Sequence, residues 1–236
     1  MLSYGKNVLL MTNPREIKKV YISKTRKDEE VFKYLKENKI HYLVVENQIL
    51  NSMTKENHQG IIIERELYRY QNLEELYDKE FVVILDHLED PHNFGAIIRT
   101  CEAAGVDGII IPKDRSVSVN DTVFKTSVGT VEKVKIVKVA NLVDTIKKLQ
   151  QEGYFVYASA MDGKDCREIS YAEKKVLIIG NEGKGISKLV REKSDEIIKI
   201  PMKGTVNSLN ASVAAAILIY KMGNLVWNMM KMNWCL

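Results

Sequence analysis

Three times along this chain an apolar, strand-like run breaks at a polar or glycine-bearing turn into a helix-like segment, and this repeated corner restricts the fold more than any other feature. The corners are residues 86–100, D-H-L-E-D-P-H-N-F-G-A-I-I-R-T, residues 178–187, I-I-G-N-E-G-K-G-I-S, and residues 200–212, I-P-M-K-G-T-V-N-S-L-N-A-S. Around them apolar and amphipathic runs alternate. Strands are expected over 81–86, 108–112, 134–139, 154–160, 175–180 and 196–201, and helices over 93–104, 119–127, 142–152 and from Ser208 onward. Such alternation gives an α/β fold whose parallel sheet carries helices on both faces. Open sheets of this kind hold their functional groups where strand ends turn into helices. The three corners are therefore expected to meet in one place.

Ahead of this unit, strands are expected over 18–23, 41–46 and 60–64, with a charged amphipathic helix near 28–38. That reads as a small α/β domain over residues 1–66, joined to a larger domain at 80–236. The connector at 67–79 is rich in Glu, Tyr and Asn, lacks Gly and Pro, and is expected to be semi-ordered. Of 35 Lys/Arg and 31 Asp/Glu, residues 1–70 hold 13 and 9, so the whole basic excess lies in the N-terminal third. A polyanion-facing module would look like this, as would a solvated lysine-rich face.

The three cysteines, Cys101, Cys166 and Cys235, have no metal-ligand spacing and an odd count, which fits a reducing cytosol and no metal. No signal-peptide pattern opens the chain, and no apolar stretch reaches the roughly 18 residues of a membrane span. The expectation is a cytoplasmic protein without a membrane partner. The run 211–227 is interrupted by Lys221, Gly223 and Asn224 and reads as a buried or interface helix, followed by a Met- and Trp-bearing tail, 227–236.

The corners differ in the chemistry they can support. Asn93, after Pro91, is placed to cap a helix, and capping alone would explain it. Gly95 permits close approach to the helix start. Arg99 lies in an otherwise nearly apolar run and needs an anion, either Glu102 one turn on or a phosphate that fits its planar donor fork. The second corner places Gly180, Gly183 and Gly185 at spacings that match neither a Walker A loop nor a dinucleotide loop. Glu182 within it would repel phosphate, so a cationic or neutral polar ligand suits it better. In the third corner Ser208 is a natural N-cap, and with Asn210 and Ser212 it offers hydrogen bonds to a neutral ligand or a ribose.

Taken together, the three segments resemble the three motifs of the SpoU branch of the SPOUT superfamily, RNA ribose 2′-O-methyltransferases that use S-adenosylmethionine. The stretch Y-G-K-N-V at residues 4–8 with N-H-Q-G-I at 57–61 is similar to that family's substrate-binding domain. Among its members the chain most resembles the bacterial 23S rRNA guanosine 2′-O-methyltransferases. The resemblance implies a trefoil-knotted catalytic domain, a homodimer, and RNA as the partner, 23S rRNA in particular. It implies catalytic roles for Asn93, Arg99, Glu182, Ser208 and Asn210, and cofactor contacts at Gly180, Ile200, Met202 and Leu209. Arg99 would serve the target ribose and its phosphate, as an electrostatic clamp more readily than as a base, because a guanidinium does not give up its proton. For the N-terminal domain it implies RNA binding, with Lys6, Asn7, Lys18, Lys19, Lys24, Arg26 and Lys27 as candidate contacts. One departure is S-V-G-T-V-E at 127–132, where the family has Ser-Ala-Gly-Ala-x-Glu. Two other readings compete: a tRNA ribose methyltransferase of the same branch, and a non-enzymatic RNA-binding or ribosome-assembly factor.

Overall fold

The computed structural model describes residues 1–205 and 208–223. Asn207 and the tail at 227–236 lie outside the described residues. The chain runs β1 (Leu2–Tyr4), α1 (Lys6–Met11), β2 (Ile17–Ser23), α2 (Glu29–Glu37), β3 (Tyr42–Val45), α3 (Asn47–Met53) and β4 (Ile61–Arg65). It continues through β5 (Phe81–Asp86), α4 (Pro91–Ala103), β6 (Gly108–Pro112), α5 (Asp121–Thr126), β7 (Lys135–Val139), α6 (Leu142–Gln151) and β8 (Phe155–Asp165). It closes with β9 (Lys175–Gly180), α7 (Lys188–Lys193), β10 (Glu196–Lys199) and α8 (Ala211–Met222). A four-stranded sheet has the order β1-β4-β2-β3, and a six-stranded sheet the order β10-β8-β9-β5-β6-β7. Every pairing in the larger sheet is parallel.

Both faces of that sheet are covered, and the side-chain alternation of β5 shows it. Phe81, Val83 and Leu85 pack with Phe94, Ile97, Ile98 and Cys101 of α4 and Leu218 and Ile219 of α8. Val82 and Ile84 face the other way, onto Ile146 and Leu149 of α6 and Val190 of α7. The first of these cores continues into the small lobe through Leu9, Val20, Ile22, Val31 and Leu35. Strands buried on both faces read as unbroken apolar runs, which is why β5, β6 and β9 begin and end where the sequence places them.

Helix starts depend on single caps. The Asp90 carboxylate accepts from the backbone N–H of His92 (3.0 Å) and Asn93 (3.2 Å), and Pro91 takes the first helical position, where its missing N–H costs nothing. Asn93 is therefore not the cap. Likewise α8 is capped by Asn210, whose Oδ1 accepts from Ser212 N at 2.9 Å, and not by Ser208. Four short elements, β1, α1, α3 and α7, escape the sequence reading, and β8 runs on to Asp165 beyond the expected 154–160. The extension pairs with β10 after a register shift between Ile197 and Ile198.

The connector is held more firmly than its composition implies. Gln71 makes a parallel bridge to Val137, donating its N–H to Ile136 O at 2.8 Å, and Leu76 is fully buried. Tyr70 accepts from Val119 N at 2.9 Å. Just before it, Arg65 at the end of β4 is buried against the larger lobe, where its Nη2 donates to both Glu16 and Glu132. Its guanidinium carbon lies 3.9 Å from the centroid of the Phe124 ring. Burial pushes the Glu132 carboxyl up, against the opposing charge of Arg65. Gly129, at φ +81°, lets Met11 of the small lobe pack against the turn after α5; a Cβ there would stand 2.7 Å from Met11 Cβ. Among the described residues no helix is long and apolar enough to cross a membrane.

Gly95→Ala tests the closest helix contact. The added Cβ would sit 1.8 Å from Thr126 Oγ1 and 2.7 Å from Thr126 Cβ. The expected loss is about 1–3 kcal/mol in denaturant unfolding, the scale of core overpacking, and adding Thr126→Ala should recover only part of it. Burial also pushes the Cys101 and Cys166 thiols up. In a Cys235→Ser background neither is expected to react with a disulfide reagent near neutral pH until the protein unfolds, as followed by absorbance of the released thiolate.

Candidate functional site

The first two corners leave the sheet side by side, because the last pair of the β5–β9 ladder is Asp86 with Gly180. Asp86, 1 % exposed, ends a strand whose other residues are all apolar. Its carboxylate accepts from Ser187 N at 2.6 Å and from His87 Nδ1 at 2.5 Å, so a buried charge is met by two donors. The second corner is thereby fastened to the end of β5. It is closed on itself too: Asn181 and Gly185 exchange backbone hydrogen bonds of 3.0 and 2.9 Å. Asn181 Oδ1 accepts from Gly183 N (3.0 Å) and Lys184 N (3.1 Å), and Asn181 Nδ2 donates to His87 O (2.8 Å).

This loop presents Glu182 to the first corner, where Asn93 Nδ2 donates to Glu182 Oε1 at 3.0 Å. With Asp90 acting as the cap, the Asn93 side chain is free to make that bond. Glu182, but not Asn93, lines a cavity of about 630 Å³. Gly180, Glu182, Ile200, Met202, Ser208 and Leu209 all line it. Its floor is apolar, from Ile179, Ile198 and Leu218, and its rim is polar. That size and lining are those of small-molecule sites.

Not every candidate converges. Asn210 does not line the cavity; it caps α8 at its edge, with Ser212 Oγ donating to its Oδ1 at 2.6 Å. Arg99 lies six residues beyond Asn93, about 9 Å along the axis of α4, and is exposed. Among the described residues it has no acidic partner, since Glu102 pairs instead with Lys133 at 3.2 Å. On the small lobe, Lys6 pairs with Asp28 (3.1 Å) and Glu30 (2.6 Å), Lys18 with Glu66 (3.3 Å), Lys24 with Glu46 (2.9 Å) and Arg26 with Asp28 (2.8 Å). Lys19 lies over the Tyr21 ring, while Lys27 and Asn7 are exposed. Surface pairs of this kind are weak, so their cations can exchange a carboxylate for another anion.

Sequence reasoning missed Asp86, Asn181, Asp162 and Arg191. The signal for Asp86 was present, a carboxylate closing an apolar strand. For the last pair there was none, because Arg191 of α7 meets Asp162 of β8 across 29 residues, in two bonds of 2.9 and 2.7 Å at the cavity wall. The Arg191 bonds hold the Asp162 carboxyl below its usual range.

Both parts of the chain are similar to known proteins. The profile of the SpoU rRNA methylase family matches residues 80–220, and that of an RNA 2′-O ribose methyltransferase substrate-binding domain matches residues 6–71. A Staphylococcus haemolyticus protein named for the TrmH family of tRNA/rRNA methyltransferases is 42% identical over 216 residues, covering 87% of each chain. A similarly named protein of Bacillus subtilis is 37% identical over 230 residues, covering 92% of each. Among solved structures, an AdoMet-bound rRNA methyltransferase from Sinorhizobium meliloti superposes with a TM-score of 0.79 at 25% identity, over 95% of this chain and 87% of that one. The SpoU methyltransferase AviRb of Streptomyces viridochromogenes shares the fold, with a TM-score of 0.83 at 21% identity, over 95% of this chain and 89% of that one.

Asp86→Ala would leave Ser187 N and His87 Nδ1 without their buried acceptor. The expected cost is about 1–3 kcal/mol of stability by denaturant unfolding, the scale of orphaned buried donors. Amide exchange at residues 181–187 should rise more than in α2, which lies in the other lobe.

Proposed function

The chain belongs to the SpoU rRNA methylase family and is an RNA methyltransferase, and on that premise we propose that it transfers a methyl group from S-adenosylmethionine to a ribose 2′-hydroxyl, that of a guanosine in 23S rRNA. The observation that carries the proposal is the cavity of about 630 Å³ placed against the Asn93–Glu182 pair. Its apolar floor suits an adenine and a thioether chain, and its polar rim suits the ribose and the amino-acid end. Gly180, Ile200, Met202 and Leu209 would hold the cofactor, with Ser208 and Glu182 at its polar edge. When bound, the cofactor supplies an electrophilic methyl group whose leaving group needs no proton. The chain itself must align a weak hydroxyl nucleophile within about 3–3.5 Å of that group, and alignment supplies much of the acceleration. Arg99, charged and without an acidic partner among the described residues, is suited to hold the phosphate beside the target ribose and to stabilise negative charge developing on its oxygen.

The substrate-binding match over residues 6–71 supports an RNA substrate. What favours rRNA is the extent of the structural likenesses: the rRNA methyltransferase from S. meliloti spans 95% of this chain, whereas the tRNA-modifying TrmH/SpoU enzyme of A. aeolicus spans 64%, with a TM-score of 0.56. Residues 1–66 are assigned to RNA binding, 67–79 to the linker and 80–236 to catalysis. In that lobe Lys6, Asn7, Lys18, Lys19, Lys24, Arg26 and Lys27 would meet phosphates, giving affinity without choosing the base. The trefoil knot is part of the proposal, supported by membership of the family. A homodimer is favoured by the exposed stripe of Val213 (47 %), Ile217 (41 %) and Tyr220 (37 %) along α8. Buried free thiols at Cys101 and Cys166 suit the reducing cytoplasm.

Methyl transfer from labelled S-adenosylmethionine to purified 23S rRNA and to bulk tRNA, with the ribose mapped by reverse-transcription stops at low nucleotide concentration, tests the proposal. One guanosine stop in 23S rRNA is expected, and label in tRNA alone would reassign the substrate. Arg99→Ala should lower single-turnover methylation at least about 100-fold, the scale of losing a key oxyanion donor, with cofactor affinity by calorimetry unchanged. Unchanged methylation would remove Arg99 from the mechanism.

A further inference from the structure

Arg65 is a fully buried charge at the junction of the two lobes, and the mechanism above makes no use of it. From β4 of the small lobe it reaches the larger one, where Nη2 meets Glu132 and the guanidinium lies over the Phe124 ring, while Nη1 reaches Thr12 Oγ1 of its own lobe at 3.4 Å. Glu16, on the small-lobe side, closes the bridge. Three further contacts surround it. Tyr4 donates to Asp121 Oδ2 at 3.4 Å, Tyr68 donates to Val131 O at 3.4 Å and packs edge-on to Phe124, and Met11 fills the space that Gly129 leaves.

The larger-lobe side of this junction is α5 and the turn after it, and α5 is itself locked to the site. Thr126 Oγ1 lies against Gly95 and within 3.4 Å of Pro91 O, so α5 rests on the first turn of α4, beside Asn93. The short helix α5 thus links Phe124, under Arg65, to Thr126, which rests on the helix bearing Asn93 and Arg99. Burying a guanidinium between two carboxylates is a poor way to gain stability, since apolar residues of similar size often do as well. Its planar donor fork does fix direction, which an apolar contact does not.

We propose that Arg65 is a positioning residue: with Glu132 it holds the RNA-binding lobe in one fixed pose against α4, so that RNA gripped by one lobe reaches the other without a docking step. The inference rests on the function proposed above, but its first readout does not. The variant Arg65→Met with Glu132→Gln removes the fork while leaving no unpaired charge at Glu132, and the single variant Glu132→Gln keeps the shape and weakens the pair. If Arg65 only stabilises the fold, the double variant should behave as the wild type in every assay once folded. If it positions the lobe, protease cleavage within residues 66–72 should rise about tenfold or more in the double variant, with a smaller rise in Glu132→Gln. The kcat/KM for RNA should fall about tenfold or more, as expected when reacting groups lose alignment, while the cofactor Kd stays within about twofold, the site being remote. Unchanged connector protection overturns the proposal whatever the substrate proves to be. Raised cleavage with undiminished kcat/KM overturns it too, and so does a cofactor affinity that falls in step with activity. Absence of methyl transfer by the wild type would count against the function alone.

Discussion

The arrangement depends on two neighbouring strands whose middles are apolar because both faces of their sheet are covered. β5 and β9 lie side by side within the larger sheet, covered by α4 and α8 on one face and by α6 and α7 on the other. From Val82 to Leu85 and from Val176 to Ile179 burial enforces apolar residues; at the last paired position, Asp86 with Gly180, a buried carboxylate appears with its own donors beside it. The Asp86 carboxylate gathers the second corner, that corner carries Glu182, and Glu182 engages Asn93 on the first. The site is in this sense the edge effect of a sheet buried on both faces.

That same constraint explains which parts were legible in the sequence. Runs such as F-V-V-I-L-D and K-V-L-I-I-G give β5 and β9 their bounds, because double burial makes each a short unbroken apolar run closed by a polar residue or a glycine. The short elements β1, α1, α3 and α7 did not show, being too brief to display a period and held instead by contacts with the rest of the chain. Asn93 and Ser208 were read as caps because each precedes a helical run, yet Asp90 and Asn210 hold those positions. Several residues there can cap, and the sequence does not say which one the backbone turns inward. The gathering of Gly180, Glu182, Ile200, Met202, Ser208 and Leu209 around one cavity was implied by family resemblance, whereas the Asp162–Arg191 pair is a product of tertiary folding alone.

The small lobe shows a different economy of charge. Several of its basic residues are engaged in pairs, half-buried at Asp28 and more exposed at Glu30, Glu46 and Glu66. Such pairs contribute little to stability, but they keep long side chains extended in place until a stronger anion competes. Arg65 is the contrary case. It is buried, bound to two carboxylates and stacked on Phe124, and it belongs to the architecture of the junction and not to any surface the lobe presents.

The closed form of the second corner has a consequence for selectivity. The N–H groups of Asn181, Gly183, Lys184, Gly185 and Ser187 are all engaged within the loop or by Asp86. Loops that bind nucleotides work the opposite way, leaving such amides bare to wrap a chain of phosphates. Here these backbone amides are spent on the loop itself, and what the loop offers the cavity is the Glu182 carboxylate. A ligand in this cavity therefore meets side chains at that corner and not a row of bare amides, an arrangement suited to S-adenosylmethionine, which carries no phosphate to be cradled.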